Sequence, residues 1–131
     1  MAITIVRLGT PRGAKEGLRI GTVRRPPRGV PKAEFAKRDF YDVWLPNLSP
    51  SQGSVKQALA AQAAKDKKLW EIFARKFRAE MNEPDPAKIL DLLAALSPDT
   101  DFAVGCYCPE ENWCHRSILR QLLAERGARM A

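Results

Sequence analysis

The apolar positions of this chain change their spacing along its length. AITIVRL (2–8) is rich in β-branched residues and predicts a first strand. GTPRGAKEG (9–17) is dense in turn residues and predicts a loop. LRIGTV (18–23) reads as a second strand or an extended segment. RRPPRGVP (24–31) holds three prolines, which remove backbone donors and restrict their neighbours. That excludes helix and central strand, and leaves a stiff, extended basic loop. PKAEFAKRD (31–39) predicts a short helix, and FYDVWLP (40–46) a strand that ends at Pro46.

After a turn at NLSPS (47–51), with Ser49 or Ser51 as cap, the period lengthens. From about Val55 to Met81 it is helical. Leu69, Ile72, Phe73, Lys76 and Phe77 recur every three or four residues, placing an apolar stripe inward and Lys and Arg outward. The polar AAKDKK within this span predicts a break into two helices. NEPDP (82–86) ends it, with Asp85 capping the next helix and Pro86 in its first position. Ile89, Leu92, Leu93 and Leu96 are its expected buried face. SPDTD (97–101) is a loop, and FAVGCYC (102–108) a buried central strand. PEENW (109–113) is a second loop. CHRSILRQLLAERG (114–127) is an amphipathic helix with Ile118, Leu119, Leu122 and Leu123 inward and Gly127 at its end. Strands, then helices, then strand–loop–helix predict a three-layer α/β fold, a small, mostly parallel sheet flanked by helices. A length of 131 residues suits one domain, residues 1–131.

Composition narrows the class. The chain is 45% hydrophobic and 28% charged, as ordinary globular proteins are. No apolar run reaches about 18 residues, so no membrane span is expected. MAITIVRLGTPRG lacks the features of a secretory signal, and a cytoplasmic location is expected. An odd cysteine count of three argues against a disulfide framework. The formal net charge of +7 permits a small anionic ligand or nucleic acid as partner. No aromatic-interleaved platform or recognition helix supports nucleic acid. Trp44 and Trp70 lie in apolar patterns and are expected in the core.

All three cysteines and the single histidine fall within CYCPEENWCHRSIL (106–119). Cys106, Cys108, Cys114 and His115 are sufficient in number for zinc. Their spacing argues against it, because two adjacent residues at a helix start diverge by about 100°. No second paired-cysteine or paired-histidine motif is present, so no metal ligand is assigned and no cofactor is expected. A thiol phosphatase loop needs a cysteine, five residues, then an arginine. Counted from Cys108, that register lands on Cys114, with Arg116 out of place. A helix start beside His115 and Arg116 would still favour a thiolate or a bound anion. Cys106, inside an apolar run, reads as a packed small hydrophobe. Glu110, Cys114, His115 and Arg116 follow a central strand, where open α/β sheets place ligands. Trp113 is placed to line such a pocket. RRPPRG reads either as an anion-binding loop or as a solvated surface loop. Asp42 is either a solvent-facing strand residue or a buried one needing Arg28 or Arg116 as partner.

RRPPRG (24–29), FYDVWLPNLSPS (40–51), the Trp70–Phe73–Phe77–Arg78–Met81 pattern and C.C.E...CHRS.L (106–119) together resemble the domain-of-unknown-function family 488 over nearly the whole chain. The resemblance implies a single α/β domain of bacterial or archaeal type and a site, without naming a reaction. Its recurring polar residues correspond to Arg25, Arg28, Asp42, Cys108, Glu110, Cys114, His115, Arg116 and Ser117. It also implies that the PRG loop and the CHR helix lie together. Pro109 departs from the polar residue common after the second cysteine. The expected pocket therefore has Cys114, His115 and Glu110 as catalytic groups and Arg25, Arg28, Arg116 and Ser117 as anion ligands. Asp42, Cys108 and Trp113 are supporting. The alternatives are a basic nucleic-acid-binding domain and a structural zinc protein.

Overall fold

A computed structural model describes residues 1–131. Its sheet holds β1 (Ile3–Arg7), β2 (Leu18–Gly21), β3 (Val43–Trp44) and β4 (Phe102–Cys106), in the order β1-β4-β2-β3, and every pairing is parallel. The helices are α1 (Gln52–Ala64), α2 (Lys67–Met81), α3 (Pro84–Leu96) and α4 (His115–Glu125). This is a small α/β fold with a parallel sheet and flanking helices. No helix is long and apolar enough to cross a membrane.

FAVGC forms β4 because a strand flanked on both edges and covered on both faces needs an unbroken apolar run. All five residues are buried. The register aligns Arg7 with Cys106 and Gly21 with Gly105, so β1, β2 and β4 end at one level. Phe102 and Val104 join Ile3 and Ile20 against Phe73, Phe77, Leu90 and Leu119 in the main core. Alternation turns Arg19 and Gly21 to the opposite face, which residues 10–16 and 39–41 cover. A Cβ on Gly21 would lie 2.4 Å from the Tyr41 ring, so glycine is what lets that ring lie on the sheet. Leu8, Val23, Tyr41, Cys106 and Cys114 form a second, smaller apolar cluster at the carboxyl end of the sheet.

The expected break between two helices occurs at Lys65, which is left-handed at φ 51°. Asp66 then caps α2 by accepting from the Lys68 and Leu69 N–H groups. Ser51 caps α1, which begins three residues before Val55. Glu80 on α2 accepts from both the Ser51 and Ser54 hydroxyls at 2.7 Å, tying the two helices together.

Several expectations give way to tertiary packing. The helix over 31–39 is a single 3-10 turn at Lys32–Glu34. The strand over 40–46 shrinks to two residues, because Phe40 and Tyr41 turn inward and the Asp42 carboxylate takes the Arg19 N–H. Trp44 is 44% exposed on this edge strand, its indole N–H donating to the Val23 carbonyl at 2.7 Å, whereas Trp70 packs against the core. On α2 the buried line is Phe73, Phe77 and Met81, and Leu69 and Ile72 face outward. The third helix starts two residues earlier than expected, with Glu83 as cap and Pro84 in first position. Its buried face is Pro86, Leu90, Leu93 and Ala94, leaving Leu92 and Leu96 exposed. IleLeuAspLeuLeuAlaAlaLeu is apolar nearly all round, so its period does not say which side is covered.

Candidate functional site

Three strand ends at one level leave a crevice beyond them, and the chain fills its rim with arginine. The cleft measures about 1400 Å³. Arg7 leaves the end of β1, and Arg24, Arg25 and Arg28 come from the proline-stiffened loop after β2. No aspartate or glutamate lines the cleft, and none of these four arginines is ion-paired. Phe40, Tyr107 and Trp113 give it aromatic surface, and α1 supplies the facing wall through Val55, Ala58 and Leu59. The Tyr107 hydroxyl donates to the Arg25 carbonyl at 2.9 Å, anchoring the basic loop across the cleft.

Sulfur and imidazole form the floor. Cys106 ends β4, Cys108 lies two residues on, and Cys114 and His115 open α4. The Cys106 and Cys108 sulfurs are 3.9 Å apart, and Cys114 Sγ is 3.8 Å from His115 Nδ1. The donor atoms of Cys106, Cys114 and His115 all lie within 4.8 Å of one another. The expected divergence of Cys114 and His115 does not occur, because Cys114 is the cap residue with extended backbone (φ −127°, ψ 146°). The helical angle between neighbours applies only inside the helix, so the spacing objection to metal falls away. His115 Nε2 lies 2.7 Å from the Thr22 carbonyl oxygen. A carbonyl only accepts, so Nε2 carries the proton and Nδ1 keeps its lone pair toward the sulfurs.

Electrostatics follow from burial and sharing. Burial pushes the His115 pKa down to about 4, against the opposing bond to Thr22, so the ring is neutral near pH 7. Hydrogen bonds from Cys108 and Cys114 draw the Cys106 thiol far below its ordinary range, although burial opposes them. Cys108 and Cys114 are pushed up, first because they keep the protons they share with Cys106. Arg116 is 4% exposed beneath this floor. It donates to the Cys108 carbonyl at 2.6 Å and to the Cys106 carbonyl at 3.4 Å, and its Nη1 is 3.9 Å from Cys114 Sγ.

Of the residues singled out from sequence, Arg25, Arg28, Cys108, Trp113, Cys114 and His115 line the cleft together. The PRG loop and the start of the CHR helix therefore border one cleft. Arg116 lies under the floor instead of facing Arg28. Ser117 donates back to the Cys114 carbonyl at 2.8 Å within the first turn of α4. Glu110 points away from the cleft and pairs with Lys65 at 3.0 Å, both side chains more than half exposed. Asp42 pairs with Arg12 at 2.7 Å, not with Arg28 or Arg116. Cys106 is packed, as expected, yet it also belongs to the sulfur cluster.

Sequence reasoning missed Arg7, Tyr107 and Thr22. Arg7 carried a signal, since a charged residue at the end of a β-branched run stands where α/β sheets bind ligands. Thr22 carried none, because its role depends on a ring brought from 93 residues away.

The family model DUF488-N3a, described as "Active DUF488-N3 subclade", matches residues 3–127. No curated protein matches the chain, and no solved structure does.

Proposed function

We propose, from the premise that this chain belongs to the DUF488 family, that its cleft binds a small phosphorylated ligand bearing an aromatic ring, of the nucleotide class, and holds it over the sulfur–imidazole floor. The observation that carries this reading is the lining: four arginines without a carboxylate among them. Guanidinium groups pair with phosphate through parallel N–H donors. The proline-stiffened loop has little backbone freedom left to lose when they do so. Phe40, Tyr107 and Trp113 offer faces for a planar ring. The cleft is also where parallel sheets place ligands, beyond the carboxyl ends of the strands.

The floor supplies the chemistry in this reading. Cys108, half-buried and lining the cleft, is the sulfur a ligand meets first, whereas Cys114 is 1% exposed. His115 is neutral near pH 7 and presents Nδ1 as an acceptor. The family description's word "active" accords with a chemical role. Glu110, turned away toward Lys65, has no part in it.

Calorimetric titration with ADP, adenosine and pyrophosphate tests the reading. ADP and pyrophosphate are expected to bind, and adenosine alone weakly. Arg25→Ala and Arg28→Ala each lower ADP affinity about tenfold or more, the worth of a charge-assisted hydrogen bond. Both side chains are exposed, so the fold is not at stake. Equal binding of adenosine and ADP, or no loss in either variant, would sink it. Preference for a single-stranded oligonucleotide with a steep salt dependence would point to nucleic acid instead.

A further inference from the structure

We infer that Cys106, Cys114 and His115 bind one zinc-class divalent cation at the floor of the cleft, with the fourth coordination position opening to the cleft beside Cys108. Tetrahedral zinc takes sulfur at about 2.3 Å and imidazole nitrogen at about 2.0–2.1 Å, which sets ligand-to-ligand separations near 3.5–3.8 Å. Cys114 Sγ and His115 Nδ1 stand 3.8 Å apart, and all three donors fit within 4.8 Å, so small side-chain rotations close the site.

Three features around the donors suit a bound metal. The Thr22 carbonyl takes the Nε2 proton and Thr22 Oγ1 stands 3.2 Å from the same nitrogen, fixing a buried imidazole with Nδ1 turned to the sulfurs. Metal-binding histidines are held by such a bond from their other nitrogen. The buried Arg116 guanidinium has no carboxylate partner and lies against the carbonyls of Cys106 and Cys108 and the sulfur of Cys114. Zinc with two thiolates is neutral, and Arg116 Nη1, 3.9 Å from Cys114 Sγ, donates to one of those thiolates. Leu8, Val23 and Tyr41 enclose the site in an apolar shell. On binding, each ligating thiol gives its proton to solvent and its sulfur lone pair to the metal.

The test is titration of the reduced, chelator-stripped full chain with Co²⁺ alone, followed by Zn²⁺. One equivalent of cobalt is expected to produce a near-ultraviolet thiolate-to-metal band and the visible bands of a tetrahedral ion, and zinc to abolish both. Cys106→Ser and Cys114→Ser lose the band, and Cys108→Ser keeps it with altered intensity. Circular dichroism checks that each serine variant is folded, and the wild-type titration stands whether or not they are. Absence of a stoichiometric band in the wild-type chain overturns the inference. So does a band lost in Cys108→Ser but kept in Cys106→Ser. No nucleotide enters the experiment, so its failure and that of the anion reading are separate.

Discussion

Arg19 is 1% exposed, yet it is one of the most heavily bonded side chains in the molecule. Its guanidinium pairs with Glu16 and donates to the carbonyls of Thr10, Pro11 and Asp39. It thereby holds the 9–17 loop and the left-handed turn at Asp39 (φ 62°) against the back of the sheet. Replacing one partner of a buried pair leaves the other charge stranded. Arg19→Met is therefore expected to cost about 3–5 kcal/mol, read from the urea midpoint. A loss under about 1 kcal/mol would show that water replaces the guanidinium. Nothing in LRIG marks this arginine, because alternation alone would equally place it in solvent. Residue identities at the site were legible to the same degree: the cysteines and histidine stood out by clustering. Which of them faced one another depended on the extended backbone of Cys114, a single residue outside any period.

Elements were legible where period and punctuation agreed. The last helix and β4 lie where the pattern puts them, because Gly127 and the flanking turns bound them and their apolar faces have one interpretation. The α1–α2 break followed from a polar interruption, and Asp66 makes it work by satisfying two free N–H groups. Asp66→Ala is expected to lower stability by about 1 kcal/mol and to shift the thermal midpoint down by a few degrees. An unchanged midpoint would mean that α2 is fixed by packing alone. β3 and α3 show the limit of the period. A two-residue edge strand is set by what packs beside it, and a helix apolar on most sides is oriented by its neighbours.

At the scale of the molecule, carboxylates held by cations set the acid limit. Burial would raise the Glu16 pKa, but the Arg19 hydrogen bond, the Gly13 N–H and the charges of Arg19 and Arg12 bring it below its ordinary value of 4.5. The folded state then binds fewer protons than the unfolded one below that pH. The stabilisation is present above 4.5 and is lost as pH falls through the folded value. Glu80 and Asp42 are lowered in the same sense, each against its own burial, by the Ser54 and Ser51 bonds and by Arg12 respectively. Glu16→Gln is expected to be less stable than wild type at pH 7, with the difference shrinking below pH 4.5. Thermal melts across pH decide it, and a constant difference would remove the linkage.

The class of fold, most element positions and the gathering of thiols, imidazole and basic loop can be read from the chain alone, since these rest on local propensity, punctuation and chain order. Packing in three dimensions turns Glu110 and Asp42 to Lys65 and Arg12, places Arg116 beneath the floor and brings Arg7 to the rim. The Glu110, Asp42 and Arg7 outcomes depend on partners 30 or more residues away, and that of Arg116 on how the β4–α4 turn folds back over it. CYCPEENWCHRSIL supplied the donors, and a non-helical cap with a carbonyl from β2's far end aimed them at one point.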